Sequence, residues 1–195
     1  MKALLLAAPG AGKGTQGVRL AEQLGVRHIA AGDLFRAAVS SDSDVGKLAA
    51  GYLARGELVP DQVVIDMMIP HISEAAAAGG YLLDGFPRNV DQAAAFADIE
   101  ERLGIRLDAV VHLEVDEAEL VRRLLERAVI AGRVDDTPEV IGKRLRLYDD
   151  ETAPLIAYYR DRKILMSFDG AQSVENVTRD ILGGLAELAP PAEGR

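Results

Sequence analysis

The sequence predicts an α/β protein in which helices flank a five-stranded parallel sheet. Short apolar runs alternate with longer helical patterns along the chain, as they do in parallel α/β folds. Most of these runs are apolar on both faces, which is typical of strands that are buried on both sides. Aromatic residues make up only 5% of the composition and tryptophan is absent. Leu, Ile, Val and Ala must therefore build the core, which suits helices packed on a buried sheet.

The predicted elements follow one another in the order that a parallel sheet with right-handed crossovers requires. The five predicted strands are 2–8, 27–30, 81–84, 109–115 and 163–169. The eight predicted helices are 14–24, 33–41, 44–54, 61–78, 90–103, 116–128, 138–161 and 173–188. Two intervals do not fit plain crossovers, because 31–60 is too long for one helix and 128–137 is a short loop between two helices. We expect both intervals to extend away from the edge of the sheet.

Length, composition and charge narrow the class of protein further. The 195 residues suit one compact domain over 1–188 with a flexible tail at 189–195. The 49% of hydrophobic residues can bury a sizeable core. A net charge of −9 argues against a protein whose main task is to coat nucleic acid or an anionic membrane. Residues 121–163 are nevertheless basic, with ten Lys and Arg against eight Asp and Glu, so a local site for anions is expected there.

A glycine-rich loop joins the first predicted strand to the first predicted helix. It reads Ala-Ala-Pro-Gly-Ala-Gly-Lys-Gly-Thr-Gln over residues 7–16. Glycines let the backbone N–H groups face one point, the helix N-terminus adds partial positive charge, and Lys13 adds a full charge. The usual pattern has Gly first and Ser or Thr directly after Lys, whereas here Ala7 comes first and Gly14 separates Lys13 from Thr15. The loop predicts a binding site for a di- or triphosphate.

Five segments, in order, resemble the motifs of nucleoside monophosphate kinases, and of adenylate kinases in particular. The segments are Pro-Gly-Ala-Gly-Lys-Gly-Thr-Gln at 9–16, His-Ile-Ala-Ala-Gly-Asp-Leu-Phe-Arg at 28–36, Gly-Glu-Leu-Val-Pro-Asp at 56–61, Leu-Asp-Gly-Phe-Pro-Arg at 83–88, and Gly-Arg-Val-Asp-Asp at 132–136 followed by Arg144. The resemblance extends from residue 1 to about 188. It implies a P-loop core, a helical AMP-binding insertion at about 30–59 and a short lid at about 127–137.

The resemblance also implies roles for individual residues. The ATP-binding residues would be Gly10, Ala11, Gly12, Lys13, Gly14, Thr15, Arg123, Arg127 and Gln172. The AMP-binding residues would be Ala31, Arg36, Glu57, Leu58, Val59, Gly85, Phe86, Pro87, Arg88, Gln92, Arg133 and Arg144. The catalytic residues would be Lys13, Arg88, Arg127, Arg133 and Arg144. Arg122 and Arg146 match no motif position and are expected at the surface.

The implied reaction explains why cations dominate this set. A phosphate oxygen of the acceptor nucleotide is already anionic near neutral pH, so its attack on the γ-phosphorus of ATP needs no general base. The reaction instead needs positive charge, because two anions are pushed together while charge spreads over the transferring group. It also needs water to be excluded. Arginines from several elements that face one site would supply the positive charge.

Two acidic residues are candidates for holding Mg²⁺, which the resemblance implies as the companion of ATP. Asp84 ends an apolar strand, at the edge of the sheet where α/β proteins bind ligands, and is expected to hold the ion through water. Asp33 is the weaker candidate, because it could simply cap the helix predicted at 33–41. No zinc is expected, because the lid is of the short type and the chain has no cysteine.

The acceptor base is predicted from two positions that point in opposite directions. Adenylate kinases usually have Thr or Ser where this chain has Ala31, whereas UMP/CMP kinases usually have Ala, and Arg88-Asn89 also resembles them. Gln92 favours adenine, because its amide offers both a donor and an acceptor to the edge of that base. We therefore expect AMP as the acceptor, with a UMP/CMP kinase as the alternative.

The remaining expectations concern partners and location. The ligands should be ATP, AMP and ADP, with no nucleic acid or membrane partner, and the resemblance implies a monomer. The apolar run at 3–8 is shorter than the core of a secretory signal and ends at Pro9-Gly10. Together with the absence of cysteine, this predicts a cytoplasmic protein. A non-catalytic nucleotide-binding protein of the same fold stays an alternative that a turnover assay would decide.

Overall fold

The sheet of the computed structural model consists of five parallel strands in the part of the chain that it describes, residues 1–131 and 137–188. The strands are β1 (Lys2–Leu6), β2 (Arg27–Ala30), β3 (Tyr81–Asp84), β4 (Ala109–Glu114) and β5 (Leu165–Asp169). Their order across the sheet is β2-β3-β1-β4-β5. The fold predicted from the sequence is confirmed. In its register, Leu4 of the middle strand lies between Leu83 and Val110 of the neighbouring strands.

Helices cover both faces of this sheet. They are α1 (Lys13–Leu24), α2 (Ala31–Ser40), α3 (Asp44–Ala54), α4 (Asp61–Ala77), α5 (Val90–Leu103), α6 (Glu117–Ala131), α7 (Pro138–Leu147), α8 (Pro154–Asp161) and α9 (Val174–Leu188). Leu4 and Leu6 contact a core formed with α4, α5 and α8. Leu5 contacts a second core formed with α1, α6 and α9. Because both faces are covered, a ligand is expected at the carboxyl ends of the strands.

The helix predicted over 138–161 is interrupted by a π-helical turn, Tyr148–Thr152. The N–H of Ala153 donates to the carbonyl oxygen of Tyr148, five residues earlier, at 2.8 Å. Pro154 follows directly. It has no N–H, and in a regular helix its ring would clash with the carbonyl four residues before it. The wider turn removes that clash, so the prediction of one continuous helix was wrong.

The interval 31–60 leaves the sheet as two packed helices, α2 and α3. Gly46 allows their close approach, because a Cβ atom at this position would lie 2.1 Å from the carbonyl oxygen of Ala38. Asp33 does not cap α2, which was the alternative to a role with Mg²⁺. Helix α2 begins two residues earlier, at Ala31, and Asp33 lies in its first turn. There the carboxylate accepts a hydrogen bond from Arg36.

No helix among the described residues is both long enough and apolar enough to cross a bilayer. The expected lid residues 132–136, which include Arg133, and the expected tail 189–195 lie outside the described residues.

A buried carboxyl group lies between α5 and β3, near the amino-terminal edge of the sheet. Glu100 is only 3% exposed, and its Oε1 accepts the N–H of Leu107 at 2.5 Å. Its Oε2 and the hydroxyls of Tyr81 and Tyr159 are buried without a hydrogen-bond partner. Arg162 Nη2 lies 3.6 Å from Oε2, too far for a hydrogen bond. Burial raises the pKa of Glu100 above its usual value, although Leu107 and Arg162 oppose the shift.

We expect the free energy of unfolding to depend on pH through Glu100. Because its pKa is raised in the folded state, stability is complete below the usual carboxyl pKa and is lost as pH rises through the higher, folded value. Glu100→Gln should remove this loss. Urea unfolding of both proteins between pH 4 and pH 8 tests it, with Glu101→Gln on the exposed neighbour as control. Parallel pH profiles for wild type and Glu100→Gln would contradict the assignment.

Candidate active site

A cavity of about 790 Å³ opens at the carboxyl edge of the sheet. Its walls come from the loop after β1, the loop after β3, the insertion formed by α2 and α3, and helices α6 and α7. The predicted site residues on these walls are Gly10, Ala11, Gly12, Lys13, Gly14, Thr15, Asp33, Arg36, Glu57, Leu58, Asp84, Gly85, Pro87, Arg88, Arg123, Arg127, Arg144 and Gln172. Residues that are more than a hundred positions apart in the chain thus face one space.

The glycine-rich loop wraps around the start of α1. Gly10 has a positive φ of 89°, and a Cβ atom there would lie 2.9 Å from the carbonyl oxygen of Leu120 in α6. Only glycine therefore fits between the loop and that helix. The ammonium group of Lys13 folds back along the loop and donates to the carbonyl oxygens of Ala7 and Ala8, the second at 3.2 Å.

The charged neighbours of Lys13 are three arginines and one aspartate. Burial lowers the pKa of its ammonium group to about 8, and Arg88, Arg144 and Arg127 add to the shift, whereas Asp84 opposes it. The pKa of Arg88 is also lowered, by enclosure and by its cationic neighbours. Charges of one sign that disfavour each other in this way form a site for a multiply charged anion.

Several arginines are held in place by hydrogen bonds behind the cavity. Arg123 donates to Glu119 Oε1 at 2.7 Å and to the carbonyl oxygen of Gly170 at 3.0 Å. Arg88 donates through Nε to the carbonyl oxygen of Gly85 at 2.9 Å. The hydroxyl of Thr152, in the π-helical turn, donates to the backbone carbonyl of Arg88 at 2.7 Å. These bonds fix the orientation of the two side chains before a ligand binds.

An ion pair links the insertion to α7. Lys143 Nζ lies 2.8 Å from Glu57 Oε1, and Arg55 lies 2.8 Å from Glu57 Oε2. The hydrogen bonds from Lys143 and Arg55 hold the pKa of Glu57 below its usual value. The ion pair between Glu57 and Lys143 thus connects the insertion to α7, the helix that contains Arg144. Glu57, expected as an AMP-binding residue, therefore directs its side chain at α7.

Asp84 ends β3 on the wall of the cavity, with His28 Nε2 at 3.9 Å from its Oδ2. Within the described residues, no cluster of three or more His, Asp and Glu side chains could hold a metal by itself. A single carboxylate suits Mg²⁺, which keeps several waters and takes its remaining ligands from nucleotide phosphates. Asp33, the weaker candidate, bonds instead to Arg36.

Four of the expected AMP-binding residues do not line the cavity. Ala31, Val59, Phe86 and Gln92 are buried behind its wall. Arg122 is exposed, as predicted, and it also borders the cavity, where it bonds to Glu119 and Glu126 on its own helix. Tyr148 and Thr152 also line it and were missed by the sequence reasoning. Pro154 was the signal that could have shown an irregular turn there.

The sheet is parallel, a glycine loop follows its middle strand, and cations from five parts of the chain line the cavity. These features define a phosphotransferase of the P-loop class. The sequence model of the adenylate kinase family matches residues 5–164. The chain is 50% identical to the adenylate kinase of Parvibaculum lavamentivorans, over 93% of this chain and 90% of that protein. It is 43% identical to the adenylate kinase of Thermobifida fusca and 45% identical to that of a Caulobacter species, over 97% of this chain and all of either relative. The chain belongs to the adenylate kinase family.

The lowered pKa of Lys13 predicts proton uptake when a nucleoside triphosphate binds. At pH 8 roughly half of the Lys13 side chains are neutral, and a bound polyphosphate raises the pKa by favouring the ammonium form. We expect uptake of up to about half a proton per nucleotide at pH 8 and little at pH 6.5. Titration calorimetry in two buffers of different ionisation enthalpy measures it. The difference between wild type and Lys13→Met isolates Lys13, and equal uptake by both proteins would contradict the assignment.

Proposed function

We propose that the cavity is the centre in which this chain transfers the γ-phosphoryl group of ATP to AMP and forms two molecules of ADP. The observation that carries the proposal is the convergence of Lys13 with Arg36, Arg88, Arg127 and Arg144 on one cavity between the phosphate loop and the insertion. Membership of the adenylate kinase family supports AMP over UMP or CMP as the acceptor. The reaction is reversible, because the same groups bind both pairs of nucleotides.

The residues divide between the two nucleotides according to their places in the cavity. The loop N–H groups and Lys13 hold the β- and γ-phosphates of ATP, and Arg123 and Gln172 lie on the side of the ATP base. Arg36 and Arg88 hold the phosphate of AMP from the other side. Arg127 and Arg144 come from α6 and α7 and reach the space between the two phosphate groups. Their positive charges would stabilise the negative charge that spreads over the transferring group.

Asp84 would hold the Mg²⁺ ion that accompanies ATP, through bound water. The bound ion supplies positive charge to the β- and γ-phosphates. The donor set fits this ion, because one carboxylate beside a phosphate site leaves room for water ligands. Asp84 also offsets part of the positive charge, since it opposes the lowering of the pKa values of Lys13 and Arg88.

Exclusion of water falls to the insertion at about 30–59 and the lid at about 127–137. The insertion consists of α2 and α3 and reaches α7 through the pair formed by Glu57 and Lys143. The first part of the lid continues α6 as far as Ala131. Closure of both over the nucleotides would remove water from the transferring group, which prevents hydrolysis of ATP.

Loss of the Lys13 charge should abolish most turnover without loss of the fold. Lys13 contacts backbone carbonyls of its own loop, so its removal leaves packing largely intact. We expect Lys13→Met to lower kcat by about 100-fold or more, because the charge stabilises the moving phosphoryl group. A coupled assay with ATP, Mg²⁺ and AMP measures this. Lys47→Met, on the exposed face of α3, is the control and should match wild type. Turnover by Lys13→Met within threefold of wild type would refute the role.

The acceptor base should depend on Gln92 more than on Ala31. Removal of the Gln92 amide forfeits hydrogen bonds worth about 1–3 kcal/mol in a closed site, so Gln92→Ala should lower kcat/KM for AMP by roughly 10- to 100-fold. Ala31→Thr should raise it modestly. The same coupled assay with AMP, UMP, CMP and GMP measures both effects. A wild-type preference for UMP or CMP would overturn the acceptor assignment.

A further inference from the structure

The carboxylate of Asp61 accepts hydrogen bonds from two side-chain amides, those of Asn89 and Gln92, behind the part of the cavity proposed to bind AMP. Asp61 is the first residue of α4. Its Oδ1 accepts from Gln92 Nε2 at 2.6 Å, and its two oxygens lie 3.3 and 3.4 Å from Asn89 Nδ2. The other end of the Gln92 amide, Oε1, accepts the backbone N–H of Arg88 at 2.8 Å. Gln92 is 1% exposed, so these bonds are shielded from water.

The Asp61 carboxylate and the backbone N–H of Arg88 together allow the Gln92 amide only one orientation. An ionised carboxylate only accepts hydrogen bonds, and a backbone N–H only donates. If the amide turned over, its oxygen would face the Asp61 carboxylate and its NH₂ group would face the N–H of Arg88. Both hydrogen bonds would be lost and both pairs would repel, which is costly in a buried place.

Asn89 is fixed by the same reasoning. Its Oδ1 caps α5 by accepting the N–H of Gln92 at 2.8 Å. The NH₂ group of Asn89 must therefore point towards Asp61. Asp61 is the common acceptor of both amides, and neither amide can turn without breaking a bond to it.

An amide of fixed orientation distinguishes two kinds of nucleobase. The Gln92 amide keeps one N–H and one oxygen lone pair beyond those already used. Adenine and cytosine present an amino donor beside an acceptor ring nitrogen. Hypoxanthine, guanine and uracil present a carbonyl acceptor beside a ring N–H. A free amide could turn to match either pattern, whereas a fixed amide matches only one.

We propose that Asp61 is a positioning residue that sets acceptor specificity: by fixing the Gln92 amide, it selects nucleoside monophosphates whose base carries an amino group and rejects those with a carbonyl in its place. The inference rests on the proposed function, because the edge of the Gln92 amide, which lies behind the cavity wall in this structure, must meet the acceptor base when the nucleotide binds. The fixed amide would distinguish adenine and cytosine, which carry an amino group, from hypoxanthine, guanine and uracil, which carry a carbonyl group. It does not separate purines from pyrimidines, which differ in size.

The decisive comparison is between AMP and inosine monophosphate, which differ in this one substituent and its ring nitrogen. Wild type should prefer AMP over IMP, and CMP over UMP. Asp61→Ala should narrow the AMP/IMP ratio of kcat/KM by at least about fivefold, because loss of a charged hydrogen bond lowers the cost of turning the amide. The N–H of Arg88 still holds Oε1 and keeps part of the preference. The KM for AMP should rise while the KM for ATP stays the same.

Two further variants distinguish the positioning of Gln92 by Asp61 from a general effect of the substitution on α4. Asp61→Asn removes the charge at the start of α4 but keeps an acceptor oxygen for Gln92 and Asn89, so it should stay within about threefold of the wild-type ratio. Asp66→Ala is the matched control. Asp66 lies on the same helix and accepts the amide of Gln62 at 2.7 Å, on an exposed surface. It should leave the ratio unchanged.

The outcomes distinguish this inference from the proposed function. No turnover of AMP by wild type would overturn the proposed function. Normal turnover with an Asp61→Ala ratio within twofold of wild type would overturn the inference alone. An equal loss for all four acceptors would also overturn it, because that result marks a structural role.

A measurement on the wild-type protein covers the case in which Asp61→Ala does not fold. In NMR spectra, the side-chain amide protons of Gln92 should exchange with water far more slowly than those of exposed Gln62. They should also give no strong nuclear Overhauser effect to the N–H of Arg88, which faces the oxygen of that amide. Exchange as fast as that of Gln62, or a strong effect to Arg88, would refute the fixed orientation.

Discussion

Repulsion among like charges shapes the site before any nucleotide is bound. The chain as a whole is acidic, with a net charge of −9, yet Lys13 and the arginines around it face one cavity. Burial lowers the pKa of the lysine, and the arginines add to the shift. Asp84 and the backbone carbonyls of the glycine loop offset part of this repulsion. An anion of several charges would neutralise the remainder, which is the physical basis of the proposed nucleotide site.

The residues behind the cavity show how such charges are kept in place. Glu119 and the carbonyl oxygen of Gly170 orient Arg123 from α6. The π-helical turn brings Thr152 to the backbone of Arg88. Asp61 and Gln92 attach to the same loop from the other side. Hydrogen bonds from neighbouring elements thus hold Arg88 and Arg123, and a small displacement of these partners would move the two residues relative to the rest of the cavity.

The strands and the phosphate loop were predictable because their signals are local. Each strand is a short apolar run, and β2 and β3 have the predicted bounds, whereas the other three strands are shorter by one or two residues. The loop is a run of consecutive residues, so its glycines and Lys13 stand out in the sequence. The π-helical turn escaped prediction because the helical pattern continues through it, and the start of α2 lies two residues before the predicted one.

The sequence by itself determined the parallel sheet, the phosphate loop and the set of arginines from which the site is drawn. Only the tertiary structure decided which partner each polar side chain takes. Gln92 bonds to an acid 31 positions away, and Glu57 pairs with a lysine 86 positions away. The physical reason is that apolar periodicity and glycine spacing act within one element. A side-chain hydrogen bond between elements instead depends on the distance and angle that the packed sheet and helices impose.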